Sequence, residues 1–219
     1  ADSSFSQKAV TSSDSGAVAG TAASNSDFKE YVLNISTLAK AQVNTGSNLA
    51  SSAKSFAAGV NTISIKVGDK EARSISFSVG ENDTNNTVLD RMAGAINGAK
   101  TGVTASVVSD AKTGASFIKI ASEKTGTGNA FTVSDVAGNA AAVSGAGSVA
   151  AQAENAVYTL DGKQYASEEN TISIDNNKVK ITFSKAEGKD IKLSIGTDTK
   201  AINEDIRAFV ESYNSAISF

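Results

Sequence analysis

The feature that most constrains this chain is a period-two alternation of large apolar and small polar residues, repeated in many short segments. It is clearest at residues 29–38, 62–67 and 74–79, where Ile, Val, Leu, Tyr or Phe alternate with Ser, Thr, Asn or Lys. Successive side chains of a strand point to opposite faces, so each segment predicts a strand with one buried face. The same pattern recurs at residues 103–108, 116–120, 156–160, 171–174, 179–183 and 191–195. The predicted fold class is therefore mainly β with some α.

Two segments change to helical spacing. Residues 87–99 carry apolar side chains three and four apart, between two predicted hairpins, which predicts a β-β-α-β-β unit. A second helix is predicted to begin at Asp198 or Thr199. Its apolar residues, called the terminal stripe below, are Ile202, Ile206, Phe209, Val210, Tyr213 and Ile217.

The terminal stripe is the strongest candidate for a functional surface. An apolar helix face usually packs onto its own domain. The stripe lies at the very end of this sequence, however, so chain segments outside it or a neighbouring subunit could equally cover it. Both interpretations stay open, and we predict that the stripe is an interface.

Composition removes most enzyme chemistry. The 219 residues include no His and no Cys, which excludes imidazole bases, Ser-His-acid triads, thiol nucleophiles and thiolate metal sites. The net charge is −3 and no two Lys or Arg residues are adjacent, which argues against nucleic-acid partners. No apolar run is long enough to cross a membrane. We therefore predict no enzyme activity, no catalytic residues, no cofactor, no metal and no membrane insertion.

The remaining chemical candidates have simpler structural explanations. Gly126–Asn129 lacks the spacing of a phosphate-binding loop, so a structural loop is favoured. Asn82–Asn86 and Asp175–Asn177 lack calcium-loop spacing and favour turns. Paired carboxylates could hydrolyse glycosides. The available acids, in predicted turns and a helix start, are Asp161, Glu168, Glu169, Glu204 and Asp205.

Tracts of small residues suggest where domains meet. Residues 1–27 are dominated by Ser, Ala, Thr, Asp and Gly and predict an extended segment. Residues 39–56 predict a weakly ordered connector, and residues 134–153 a linker. The sequence Asn-Thr-Ile-Ser-Ile occurs at 61–65 and again at 170–174. Common strand propensity or an internal duplication would each explain this repeat.

Taken together, these segments resemble the flagellar filament-capping proteins, hook-associated protein 2 or the FliD family. The resembling stretches are Lys8–Ser15 with Thr21–Ser24, Tyr31–Ala41, Gly102–Val108 with Ser122–Asn129, and Tyr158–Gly162 with the terminal stripe through Asn214. Their order and spacing carry the resemblance, because each stretch alone is weakly specific. Phe28-Lys29-Glu30 departs from the small residues that family members more often carry there.

The resemblance implies two β-rich head domains, one inserted in the other, that lead into a helical leg domain. We expect a central fragment without the family's terminal coiled-coil helices. The implied parts are an N-terminal segment at the leg edge (1–27), a discontinuous first head domain (28–58 and 152–198), an inserted second head domain (59–151) and the start of the leg (199–219).

The function that the resemblance implies is structural. Such a protein caps the distal end of the flagellar filament, prevents loss of exported flagellin, promotes its polymerisation and contributes to adhesion. The implied partners are further copies in a ring-like homo-oligomer, flagellin, a type III export chaperone and host mucin. The implied location is extracellular, at the flagellum tip, after secretion through the flagellar export channel.

Two alternatives stay open. One is the variable outer region of a flagellin, although Tyr158–Gly162 and a helix directly after strands favour the cap. The other is a glycan- or mucin-binding adhesin module, for which Tyr158 and Tyr165 are the candidate aromatic contacts.

Overall fold

The computed structural model describes residues 6–217. Residues 1–5 of the predicted N-terminal segment and residues 218–219 of the predicted leg lie outside the described residues.

Strands dominate the described chain and follow one another in three stretches. The first stretch holds β1 (Lys8–Ser12), β2 (Val18–Ala22) and β3 (Glu30–Thr37). The middle stretch holds β4 (Val43–Thr45), β5 (Leu49–Ala50), β6 (Gly59–Val67), β7 (Arg73–Val79), α1 (Asn85–Ala99), β8 (Val103–Asp110), β9 (Ala115–Ser122), β10 (Phe131–Ala137), α2 (Ala140–Ser144) and β11 (Val149–Ala151). The last stretch holds β12 (Ala156–Leu160), β13 (Lys163–Ser167), β14 (Thr171–Ile174), β15 (Val179–Phe183), β16 (Asp190–Thr197) and α3 (Thr199–Ile217). The predicted class, mainly β with some α and a C-terminal helix, is confirmed.

The chain folds into two compact units, and the boundary between them differs from the predicted one. The first unit is Ala1–Leu38 with Ala156–Phe219, and the second is Ala39–Asn155. Residues 39–58, predicted to lie in the first head domain, belong to the second unit because β4 and β5 both pair with β9. Residues 152–155 also belong there, since Lys40 and Glu154 form an isolated antiparallel bridge.

The first unit contains one eight-stranded sheet whose ends approach each other. Its strand order is β13-β12-β3-β16-β1-β2-β15-β14. A flat sheet of that width would separate the two edge strands by about 34 Å. Only residues 168–170 join β13 to β14, and that connection spans at most about 15 Å. The sheet is therefore strongly curled, and the rings of Tyr158 and Phe183, on strands far apart in the order, lie 5.1 Å apart between centroids.

The alternation of apolar and polar residues in the sequence predicted which side chains of this sheet are buried. In β3, Tyr31, Leu33 and Ile35 are buried, as predicted. Strand β3 pairs with β12 and β16, so residues distant in sequence share one sheet. The side chains that are also buried on β15 and β16 are Val179, Ile181, Phe183, Ile191, Leu193 and Ile195.

The prediction that residues 1–27 form a merely extended segment is wrong for much of the described part. Strand β1 pairs antiparallel with β16 over five residues, and β2 pairs with β15. Small residues suit β2 because its neighbours come close: a Cβ on Gly20 would lie 3.0 Å from the backbone oxygen of Lys180 and from Val10 Cγ1. These strands bury few large side chains, so their apolar pattern was weak.

The second unit packs α1 against two sheets, and the β-β-α-β-β order is confirmed. The sheets have the orders β10-β6-β7 and β11-β4-β9-β5, with β8 also paired to β9. Val88, Leu89, Met92 and Ile96 of α1 are fully buried. Their neighbours in one continuous core include Ile63, Ile65, Phe77, Ile118, Ile120 and Phe131.

The prediction of a linker at residues 134–153 is wrong. Strand β10 continues to Ala137, α2 follows, and β11 pairs with β4. Ala140 and Ala146 are fully buried. The carboxylate of Asp135 accepts hydrogen bonds from the backbone N–H groups of Ala141 and Ala142 at 2.7 and 2.9 Å, which holds α2 in place.

Candidate functional site

The terminal stripe lies on α3, whose start follows from local chemistry. Asp198 Oδ1 accepts a hydrogen bond from the Ala201 N–H at 3.0 Å, and Asp198 O accepts one from Ile202 N–H at 3.2 Å. A side-chain oxygen at this position satisfies a backbone donor that the helix leaves unpaired. The predicted helix start at Asp198 or Thr199 is confirmed.

The structure brings all six stripe residues onto one helix and leaves most of them exposed. Phe209 is 70% exposed, Ile217 63% and Tyr213 58%, while Ile206 and Val210 are each 48% exposed. Ile202, closest to the sheet, is half-buried. Among residues 6–217, none of the α3 side chains is buried. The part of the chain that the structure describes therefore does not cover the stripe.

An exposed apolar helix face of this size has two physical consequences. Burying one large apolar side chain stabilises a protein by about 1.5–3 kcal/mol, so covering several would be strongly favourable. In proteins, most of the stability of a helix comes from packing of its apolar face rather than from helix propensity. The polar face adds little support, since the Lys200 and Glu204 side chains approach only to 3.9 Å and are largely exposed. The stripe is thus suited to packing against another apolar surface.

The candidate carboxylates occupy separate structural positions. Asp161 lies in the β12–β13 turn, and its Oδ1 accepts the Val32 N–H at 2.9 Å. Its positive φ of 50° is one that Asp tolerates in a tight turn beside Gly162. Glu168 and Glu169 lie between β13 and β14, whereas Glu204 and Asp205 lie on α3.

The glycine-rich and asparagine-rich candidates form turns. Residues 127–129 form one 3₁₀ turn, in which the Thr127 N–H donates to Asn155 Oδ1 at 2.7 Å. A Cβ on Gly68 would lie 2.1 Å from Gly128 O, so this loop packs directly against the β6–β7 turn. Asp175, Asn176 and Asn177 all have positive φ and join β14 to β15.

Residues 82–86 build the start of α1. Thr84 accepts a hydrogen bond from the Thr87 N–H through its side chain. Asp83 accepts from the Gly80 N–H at 2.6 Å and pairs with Arg91. The hydrogen-bonded Arg91 guanidinium lowers the pKa of the Asp83 carboxyl.

Two tyrosines form the main aromatic feature of the first unit. The rings of Tyr158 and Tyr165 stack with centroids 5.7 Å apart, and Lys163 Nζ lies 5.3 Å from the Tyr165 centroid. Tyr158 is buried, and this burial raises the pKa of its phenol. Tyr165 is 38% exposed, so of this pair it is the ring that a ligand could reach.

Metal-binding clusters and membrane-spanning helices are both missing from the described residues. Within residues 6–217, no three acidic, His or Cys side chains are grouped as metal ligands. None of the helices in that range is both long and apolar enough to cross a membrane.

Comparison with known proteins identifies related molecules. Residues 153–219 match the family described as flagellar hook-associated protein 2 C-terminus. No curated protein sequence matches the chain. The D1-D2-D3 domains of the flagellar cap protein FliD from Escherichia coli match with 28% identity and a TM-score of 0.75, covering 98% of this chain and 73% of that chain. The D2-D3 domains from the same organism match with 27% identity and a TM-score of 0.75, covering 88% of this chain and 99% of that one.

A third match shows the fold alone. FliD (HAP2) from Pseudomonas aeruginosa PAO1 has 24% identity and a TM-score of 0.66, covering 91% of this chain and 93% of that chain. The fold, with its curled sheet, second strand-rich unit and C-terminal helix, is that of a flagellar cap protein. Residues 153–219 therefore match the C-terminal region of the FliD family, and the chain resembles the flagellar cap protein of Escherichia coli over 98% of its length. The resemblance found in the sequence is confirmed.

Proposed function

We propose that this chain forms the head domains and the start of the leg of a protein that caps the distal end of the bacterial flagellar filament. The two units correspond in this proposal to two head domains, and α3 to the first leg helix. The cap prevents loss of exported flagellin and promotes its polymerisation. Support comes from the family match over residues 153–219 and from the likeness to the E. coli cap protein.

The observation that carries the proposal is the exposed terminal stripe. It begins at the end of β16, within the segment that matches the family. In the complete protein, we propose that the stripe packs against further leg helices and so supports a ring-like homo-oligomer. A monomeric protein rarely exposes a large contiguous apolar face without an interaction that uses it.

The remaining proposed properties follow from this assignment. Flagellin is the partner on the filament side, a type III export chaperone the partner before secretion, and the flagellum tip the location. A structural role agrees with acids that lie in turns or pair with neighbouring groups, as Asp161 and Asp83 do. We propose that the protein is not an enzyme.

The test is complementation of cap-deficient cells with the complete protein carrying Phe209→Ala. We expect slower swimming and more unpolymerised flagellin in the medium, because truncating a packed Phe costs about 3–5 kcal/mol. Asp161→Asn and Glu169→Gln should leave swimming unchanged. Normal swimming by the Phe209 variant, or paralysis by either acid variant at normal protein levels, would contradict the proposal.

A second candidate function is adhesion through a glycan. The observation that favours it is the exposed Tyr165 ring, held in place by stacking on Tyr158. An exposed aromatic ring beside polar groups suits the apolar face of a sugar. A glycan array that includes mucin-type sugars tests this candidate. We expect binding by the unmodified protein and loss of binding by Tyr165→Ala, and the absence of any bound glycan would exclude it.

A further inference from the structure

A groove lined by lysine side chains lies in the second unit. It consists of two adjoining cavities of about 160 and 280 Å³, whose walls share Lys70, Lys100 and Thr101. Arg73 adds to the wall of the smaller cavity and Lys124 to that of the larger one. These residues come from the β6–β7 hairpin, the end of α1 and the loop after β9. The groove is therefore built by three segments that are distant in sequence.

The groove has a positive charge that its own side chains do not neutralise. Four cationic side chains and only two carboxylates, Glu71 and Glu123, line the cavities. Among the described residues, Lys70, Lys100 and Lys124 form no ion pair. Lys100 follows the last turn of α1, where the helix dipole favours a cation. That explanation does not apply to Lys70 and Lys124, which lie on a turn and a loop.

A second, independent feature of the groove is the hydroxyl of Thr101. Its Oγ1 has less than 1 Å² of accessible surface and no hydrogen-bond partner within residues 6–217. A covered hydroxyl without a partner is unfavourable, and most such groups in folded proteins are paired. Thr101 lines both cavities, so the residue that carries this unpaired hydroxyl lies in the wall of the groove.

We propose that this groove binds a small oxyanion, a sulfate or carboxylate group, either free or carried on an acidic polysaccharide. Ammonium groups and a hydroxyl donor supply the charge and the hydrogen bonds that such oxygens accept. Each cavity taken singly is smaller than the range of about 300–1,000 Å³ that drug-sized ligands occupy, which favours a small charged group in either one. This site is separate from the terminal stripe and does not depend on the proposed capping function.

The first test is a titration of the amide NMR spectrum with sodium sulfate, at constant ionic strength maintained with sodium chloride. We expect saturable shifts at Thr101 and Gly102 and their neighbours. Lys100→Met with Lys124→Met should weaken binding by roughly fivefold for each lysine removed. The matched control is Lys119→Met, which removes an exposed lysine of β9 that is not among the groove-lining residues.

The second test uses Thr101→Val, which removes the hydroxyl at nearly constant shape. Without anion the variant should be as stable as the parent or more so, and it should bind sulfate more weakly. Titration with heparin and with neutral dextran then identifies the source of the anion. Heparin binding at the same amides assigns a polysaccharide, whereas sulfate binding alone assigns a free ion. The proposal would be overturned if sulfate caused no saturable amide shifts beyond those caused by chloride. It would also be overturned if Lys119→Met weakened sulfate binding as much as the groove variants do.

Discussion

Helices α1 and α3 begin alike and end in different environments. Each has a polar side chain that accepts a backbone N–H at its start, Thr84 in α1 and Asp198 in α3, followed by apolar residues at helical spacing. The apolar face of α1 is fully buried between sheets. The apolar face of α3, by contrast, is left uncovered by the described residues, 6–217. Periodicity therefore predicts a helix and its apolar face, but not the surface that covers that face.

The largest difference should appear when one apolar side chain is removed from each helix. Leu89→Ala in α1 should lower the free energy of unfolding of the second unit by about 2–5 kcal/mol, because Leu89 is fully buried. Phe209→Ala in this chain should change stability by no more than about 0.5 kcal/mol, since Phe209 is 70% exposed. Urea unfolding followed by circular dichroism measures both. Equal losses would mean that α3 is packed in this chain.

The helix caps should give a smaller difference. Thr84→Ala should destabilise the second unit by about 0.5–2 kcal/mol, because α1 is integral to its core. Asp198→Ala should instead reduce the helical signal of α3 and leave the unfolding of the second unit unchanged. Residue-resolved hydrogen exchange distinguishes these outcomes. A cap variant of α3 that destabilised the second unit would contradict the independence of the two helices.

The smallest effect concerns pH. The pKa of Asp83 is lowered by its hydrogen bond to Arg91, a residue of α1. A carboxyl group whose pKa is lower in the folded than in the unfolded state stabilises the fold above about pH 4. This stabilisation is lost as the pH falls through the pKa of the folded state. Asp83→Asn should therefore flatten the acid side of the stability profile of the second unit.

The control for the pH experiment is Asp69→Asn, which removes an exposed carboxylate of the same unit. It controls for the loss of one negative charge from the surface of this unit. The ion pair of Lys200 and Glu204 on α3 should contribute nothing measurable to the free energy of unfolding, because both side chains are largely exposed. If Asp83→Asn kept the full acid sensitivity, the pair with Arg91 would not be its source.

Sequence predicted those elements in which large apolar residues alternate or follow helical spacing, such as β3, β6 and α1. It missed β1, β2 and α2, because Gly20, Ala140 and Ala146 pack closely without a large apolar side chain to mark them. Small residues suit a linker and a tightly packed backbone equally well, so composition alone does not separate the two.

The candidate site was predictable in part. The terminal stripe followed from spacing within one segment, and all six residues lie on α3. The lysine groove could not be found in this way, because Lys70, Lys100 and Lys124 are scattered singly along the chain. Only the fold brings the turn after β6, the end of α1 and the loop after β9 together.

Cysteine labelling tests the interface role of the terminal stripe most directly, because these 219 residues contain no Cys that would compete for the label. Ile206→Cys lies on the terminal stripe, and Ser215→Cys lies on the opposite side of α3. Both thiols should react rapidly in this chain. In the assembled complete protein, we expect strong protection at position 206 and continued reaction at position 215. Equal reactivity of the two positions in the assembly would contradict the claim that the stripe is an interface.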